Sequence, residues 1–89
     1  MTHMLVRHRV ADFSRWKSVY NEHAPVREAT GLKALHLWRN EADPNEVIIL
    51  FEVADAQQAK AFIGSTDAKQ KKQAAGVVGM PDIVFLDEN

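Results

Sequence analysis

Val47-Ile48-Ile49-Leu50-Phe51, followed by Glu52 and Val53, sets the strictest limit on how this chain can fold. The run is rich in β-branched and aromatic side chains and is bounded by Asp43-Pro44-Asn45-Glu46 and by Asp55, the pattern of a strand buried on both faces. Strand side chains point alternately to opposite sides, so Val47, Ile49, Phe51 and Val53 need one cover while Ile48 and Leu50 need another. With 89 residues, 46% hydrophobic and 26% charged, the chain is expected to form one domain over residues 1–89, with a core that gains from a partner. A second copy of the chain is the expected second cover.

The remaining segments supply one layer of helices. His3 to Val10 alternates as a first strand, with Met4, Val6, His8 and Val10 on one face and His3, Leu5, Arg7 and Arg9 on the other. Asp12 sits where a helix N-cap belongs, and Phe13, Trp16, Tyr20, His23 and Arg27 follow at helical spacing on a single stripe. Pro25 predicts a kink or restart, because it removes the hydrogen bond back to Asn21, and Gly31 predicts the stop. Leu32 to Asn40 reads as a second strand, with Leu35 and Leu37 on one face and Ala34, His36 and Trp38 on the other. A turn at Pro44 leads into the organising strand. Asp55-Ala-Gln-Gln58 resembles a capping box ahead of Ala59, Phe62 and Ile63; a second helical piece, polar and lysine-rich, is expected from Ser65 to Ala75 as a solvated face. A last strand is expected from Pro81 to Leu86, with Pro81 at its start.

The resulting order, β-α-β-β-α-β, is the ferredoxin-like pattern: an α+β fold with an antiparallel four-stranded sheet and both helical regions on one face. Leu5, Ile48, Leu50 and either Val84 with Leu86 or Ile83 with Phe85 are then left bare on the other face, an apolar area of the kind that marks an interface. A homodimer through this helix-free face is the expectation.

Charge excludes one class of partner. Eleven bases against 12 acids give no electrostatic drive toward nucleic acid. No cysteine is present, so disulfides and thiolate metal sites are out, and a cytoplasmic setting suits the composition. No segment reaches the roughly 18 apolar residues of a membrane span, and no signal-peptide pattern precedes the first strand. Phosphate-binding glycine loops and nucleophile elbows are absent, and Gly76-x-x-Gly79 is a loop ahead of a strand.

Candidate chemistry rests on imidazole and aromatic side chains. His8 is the one polar group on the apolar face of a strand expected to be central, so it is either a hydrogen-bonded core residue or a pocket acid, base or anchor. His36 either looks inward or lies exposed at an edge, and His23 has either a packing or a pocket role. The histidine spacing does not call for a metal, and no cofactor is expected. Trp16 and Tyr20 carry rings with a polar handle, suited to lining a small-molecule pocket, and Arg27 either clamps an anionic group or pairs at the surface.

Taken together, Leu5-Val6-Arg7-His8-Arg9-Val10, Asp12-Phe13-x-x-Trp16-Lys17-x-x-Tyr20, Arg27-x-x-x-Gly31, Asp43-Pro44-Asn45-Glu46-Val47 and Gly76-Val77-x-Gly79-x-Pro81-Asp82 resemble small bacterial members of the dimeric α/β-barrel superfamily, of the antibiotic-biosynthesis-monooxygenase-like or cyclase-like kind. The resemblance implies two ferredoxin-like subunits with their sheets face to face and a pocket in each between sheet and helices. Cofactor-free monooxygenases and haem-degrading members resemble one another in placing an asparagine and a tryptophan, with a tyrosine or histidine, around that pocket. Here the region Ala56 to Ala75 has neither tryptophan nor histidine and the first strand has no asparagine, which disfavours haem degradation and carries no catalytic assignment over. Three readings follow: a cofactor-independent cyclase, isomerase or monooxygenase-like enzyme acting on an apolar or aromatic, polyketide-like substrate; a ligand-binding or stress-related module without turnover; and a structural dimer. For the first, His8 and Tyr20 are the candidate catalytic residues, and Trp16, Arg27, His36, Trp38 and Phe51 are the candidate substrate-binding residues.

Overall fold

The computed structural model of the chain describes residues 2–64 and 76–87. Its elements run β1 (Thr2–Val10), α1 (Phe13–Glu22), α2 (Ala24–Ala29), β2 (Leu32–Arg39), β3 (Glu46–Val53), α3 (Ala56–Ile63) and β4 (Val77–Asp87). The strands form one four-stranded antiparallel sheet in the order β2-β3-β1-β4. This is the expected α+β, ferredoxin-like arrangement. The helical piece expected from Ser65 to Ala75 lies outside the described residues.

Local chemistry sets the helix boundaries. The Asp12 carboxylate accepts from the Arg15 amide at 3.3 Å at the start of α1, and that of Asp55 accepts from the Gln57 and Gln58 amides at 2.9 and 3.2 Å at the start of α3. Pro25 falls in the first turn of α2, where its missing N–H costs nothing, so the chain breaks after Glu22 and restarts at Ala24 with His23 as the joint. Gly31 ends α2 at φ +84°, and a Cβ there would stand 3.1 Å from that of Ala54. The Gly31 carbonyl accepts from the Ala54 amide at 2.9 Å, which ties the corner before β2 to the end of β3.

Two registers differ from the simple alternation. Between Ala34 and His36 the β2–β3 ladder slips by one residue, so Ala34 stands opposite Phe51 while His36 and Trp38 stand opposite Leu50 and Ile48. Leu35 is the additional residue of this bulge. Ala34 therefore shares the face of Phe51 and Leu37, not that of His36 and Trp38, because one inserted residue inverts the pattern on one side of it. The last strand begins at Val77 rather than Pro81. Pro81 is tolerated inside it because β4 is an edge and the ladder slips there: Arg7 pairs with Asp82 and Arg9 with Val78, leaving Gly79, Met80 and Pro81 opposite His8.

The organising strand β3 lies second in the sheet, with Val47, Ile49, Phe51 and Val53 between 0% and 3% exposed. They pack with Met4, Val6, Val10, Trp16, Leu32 and Ala59 in one core. Burying each large side chain there contributes about 1.5–3 kcal/mol. On the opposite face the register selects Val84 and Leu86, 48% and 41% exposed, as the β4 companions of Leu5. Trp38, 47% exposed, lies on the same side, and Ile48 and Leu50 are only half-buried.

Candidate functional site

A cavity of about 110 Å³ lies between the sheet and the helices. Its floor is Met4, Val6 and His8 of β1 with Ile49 and Phe51 of β3; Val77 and Ile83 of β4 and Leu32 of β2 close its sides. Trp16, Val19 and Tyr20 of α1, His23 and Arg27 around α2, and Phe62 and Ile63 of α3 cover it. The wall is largely apolar, with a few convergent polar groups, the usual composition of a small-molecule site.

Those polar groups form an ordered row. His8 meets the edge of Trp16, with centroids 5.3 Å apart at 64°; Trp16 stacks on Tyr20 at 4.9 Å and 22°; and the Arg27 guanidinium lies 3.7 Å from the centre of the Tyr20 ring. The row exists because Trp16, Tyr20, His23 and Arg27 recur at helical spacing through the break at His23, while His8 rises from the strand beneath. Arg27 is held in place by donating from Nη1 to the Tyr20 carbonyl at 2.7 Å. His23 packs against Phe62 at 5.6 Å, joining α3 to the α1–α2 joint.

Burial dominates the electrostatics of the site. Burial pushes the Tyr20 phenol above its ordinary 10.0, and the neighbouring Arg27 charge and contact partly offset this, so the hydroxyl is protonated at neutral pH. Burial likewise lowers Arg27, opposed by Tyr20 and Glu28. A guanidinium nonetheless stays charged in proteins. The Tyr20 hydroxyl is buried and has no hydrogen-bond partner among the described residues. Tyr20 is one of the residues that line the cavity.

Of the expected site residues, His8, Trp16, Tyr20, Arg27 and Phe51 meet at this cavity. His36 and Trp38 do not. They stack on each other at 4.8 Å and 13° on the helix-free face, both exposed, on the far side of the sheet. His23 and Phe62 join the lining, and the only signal for His23 in the sequence is its place on the stripe from Phe13 to Arg27.

The helix-free face carries a second, polar recess formed by Arg7, Arg9, Glu46, Val78 and Asp82, to which His8 also contributes. Arg7 pairs with Glu46 and Arg9 with Asp43 there. His8 thus borders both faces, at the point where the β4 register slips past it. Among the described residues, no group of three or more His, Cys, Asp or Glu side chains is placed to hold a metal ion, and no helix is long and apolar enough to cross a membrane.

No family model matches the chain, and no curated protein matches it. Solved structures do. A protein of Bordetella bronchiseptica described as an antibiotic biosynthesis monooxygenase matches with a TM-score of 0.79 at 11% identity, over 99% of this chain and 96% of its own. A Caulobacter crescentus protein of the same description matches with a TM-score of 0.73 at 20% identity, over 99% and 89%. SnoaB of Streptomyces nogalater, a cofactor-independent oxygenase, matches with a TM-score of 0.76 at 13% identity, over 99% and 92%. The chain therefore has the ferredoxin-like α+β fold of the antibiotic biosynthesis monooxygenase-like structures.

Proposed function

We propose that this protein is a cofactor-independent enzyme of proton transfer, cyclase-, isomerase- or monooxygenase-like, acting on a small apolar or aromatic substrate in the cavity between sheet and helices. The observation that carries the reading is the row His8–Trp16–Tyr20–Arg27 along the wall of that cavity. A substrate ring lies against the indole and Phe51. His8 takes a proton from a carbon beside a carbonyl, since imidazole exchanges protons near neutral pH. The enolate oxygen that develops receives the Tyr20 O–H, which burial keeps protonated. The enolate then attacks a second carbonyl carbon of the substrate and closes a ring, the new alkoxide taking the proton from His8; or it is reprotonated at another carbon by His8; or it reacts with dioxygen, one oxygen becoming a new carbonyl on the substrate carbon and the other leaving as water. The fold shared with SnoaB, an oxygenase without a cofactor, supports the last of these.

The helix-free face is proposed as a homodimer interface, supported by exposed Trp38, Val84 and Leu86 beside Leu5, Ile48 and Leu50. Sedimentation in dilute solution tests it: a monomer overturns the interface.

The function is tested by a thermal-shift screen of aromatic hydroxyketones, followed by product analysis on the compounds that stabilise the protein. A folded His8→Ala variant is expected to lose turnover by about 100-fold or more while still binding those compounds. Stabilisation without turnover in the unaltered protein replaces the enzyme by a binding module. No stabilisation by any compound removes the cavity as a site.

A further inference from the structure

Arg27 is only 9% exposed, yet among the described residues its guanidinium forms no ion pair. The arginines that do pair with carboxylates, Arg7 and Arg9, have side chains 58% and 64% exposed. Within the described chain the buried cation meets the Tyr20 ring and the Tyr20 carbonyl, and the Glu28 charge acts on it without a direct ion pair. A guanidinium removed from water is costly unless an anion or several acceptors face its planar fork. Beside it is a second donor, the buried Tyr20 hydroxyl, which has no acceptor among the described residues. Both side chains line the cavity, whose wall is mostly apolar, with His8 and His23 as its other polar residues. A buried guanidinium on the wall of a mostly apolar cavity describes the complement of an acceptor-only anion carried on an apolar body.

We propose that the cavity takes a small aromatic carboxylate, its ring against the apolar wall and its charged group held by the Arg27 guanidinium. This rests on reading the cavity as a ligand site and names the class of molecule it accepts. Size agrees: about 110 Å³ is close to the ~150 Å³ of an engineered apolar cavity that takes up benzene. The guanidinium fork matches a carboxylate in two parallel hydrogen bonds, which a neutral amide of the same shape cannot accept equally.

Benzoate and benzamide, alike in shape and different in charge, separate the two claims by titration calorimetry at neutral pH. Benzoate is expected to bind about tenfold or more tightly than benzamide. In Arg27→Met that preference disappears through loss of benzoate affinity, and Arg27→Lys restores part of it. Equal affinities in the unaltered protein, a comparison that needs no variant to fold, overturn the proposal and leave the cavity as a site for neutral ligands. A preference for benzoate that survives in Arg27→Met also overturns it. Binding of neither compound overturns the proposal and the ligand site together.

Discussion

The two faces of this sheet handle polar groups in opposite ways. Toward the helices, charge and hydroxyl are few, enclosed and stacked on rings: Arg27 over Tyr20, Tyr20 over Trp16, Trp16 against His8. Away from the helices, Arg7 and Arg9 sit on the same strand as His8 but turn outward and meet carboxylates, Glu46 and Asp43. The direction of proton affinity follows the same division. Burial governs Tyr20, whereas the Arg7 side chain governs Glu46. One strand therefore carries two kinds of electrostatics, and its alternation decides which residue experiences which.

The comparison is broken most severely by emptying the covered face. Phe51→Ala removes a ring that is 3% exposed and is expected to cost about 3–5 kcal/mol in denaturant unfolding, at any protein concentration. Leu50→Asp, one residue earlier and facing the other way, is expected to act on assembly. It weakens self-association by on the order of 2 kcal/mol, about a thirtyfold rise in dissociation constant by sedimentation, with little change in monomer far-ultraviolet circular dichroism. If Leu50→Asp instead matches Phe51→Ala in concentration-independent cost, the two faces are not different in kind.

How much of this was legible follows from which signals are local. The run from Val47 to Val53, the caps Asp12 and Asp55 and the break at Pro25 are decided by neighbours in the chain, and each appears where its chemistry places it. The choice between Val84 with Leu86 and Ile83 with Phe85 needed the pairing with Leu5, a contact across most of the chain. The bulge at Leu35 is invisible to a pattern of period two, which groups Ala34 with His36 although Ala34 stands opposite Phe51. In the same way Pro81 reads as a beginning, yet on an edge strand at a register slip it lies inside. The Trp16–Tyr20–Arg27 part of the site was legible as a helical stripe. The side on which His36 and Trp38 project depended on the strand they pair with.

A smaller perturbation sharpens the comparison by loosening the cover without touching the floor. Asp55→Ala removes the cap of α3, which supplies Phe62 and Ile63 to the cavity. The expected cost is about 1 kcal/mol in unfolding free energy. Amide exchange in α3 should rise more than in β3, and affinity for cavity ligands should fall with it. Equal loosening of both elements would mean that the cap serves the whole domain rather than the roof.

The finest contrast is a pair of titrations of opposite sign. Tyr20 is the one tyrosine in the chain, so phenolate absorbance reports it alone. Its midpoint is expected above 10.0, and Arg27→Met moves it higher still, because burial remains while the charge that opposes it is gone. The folded state then holds that proton more tightly than the unfolded chain, so stability falls as pH rises from about 10. Glu46 runs the other way. The Arg7 hydrogen bond, followed by that of Asn40, keeps its carboxyl below the ordinary 4.5, so its contribution is present above that pH and is lost as pH falls through the lowered value. Glu46→Gln should flatten the acid limb of the stability profile by a small amount, as the exposed Arg7 partner implies, and leave the alkaline limb alone; Tyr20→Phe should do the reverse. If either substitution changed both limbs, proton affinity on the two faces would be coupled through the sheet, and His8, which borders both cavities, would be the first place to look for the link.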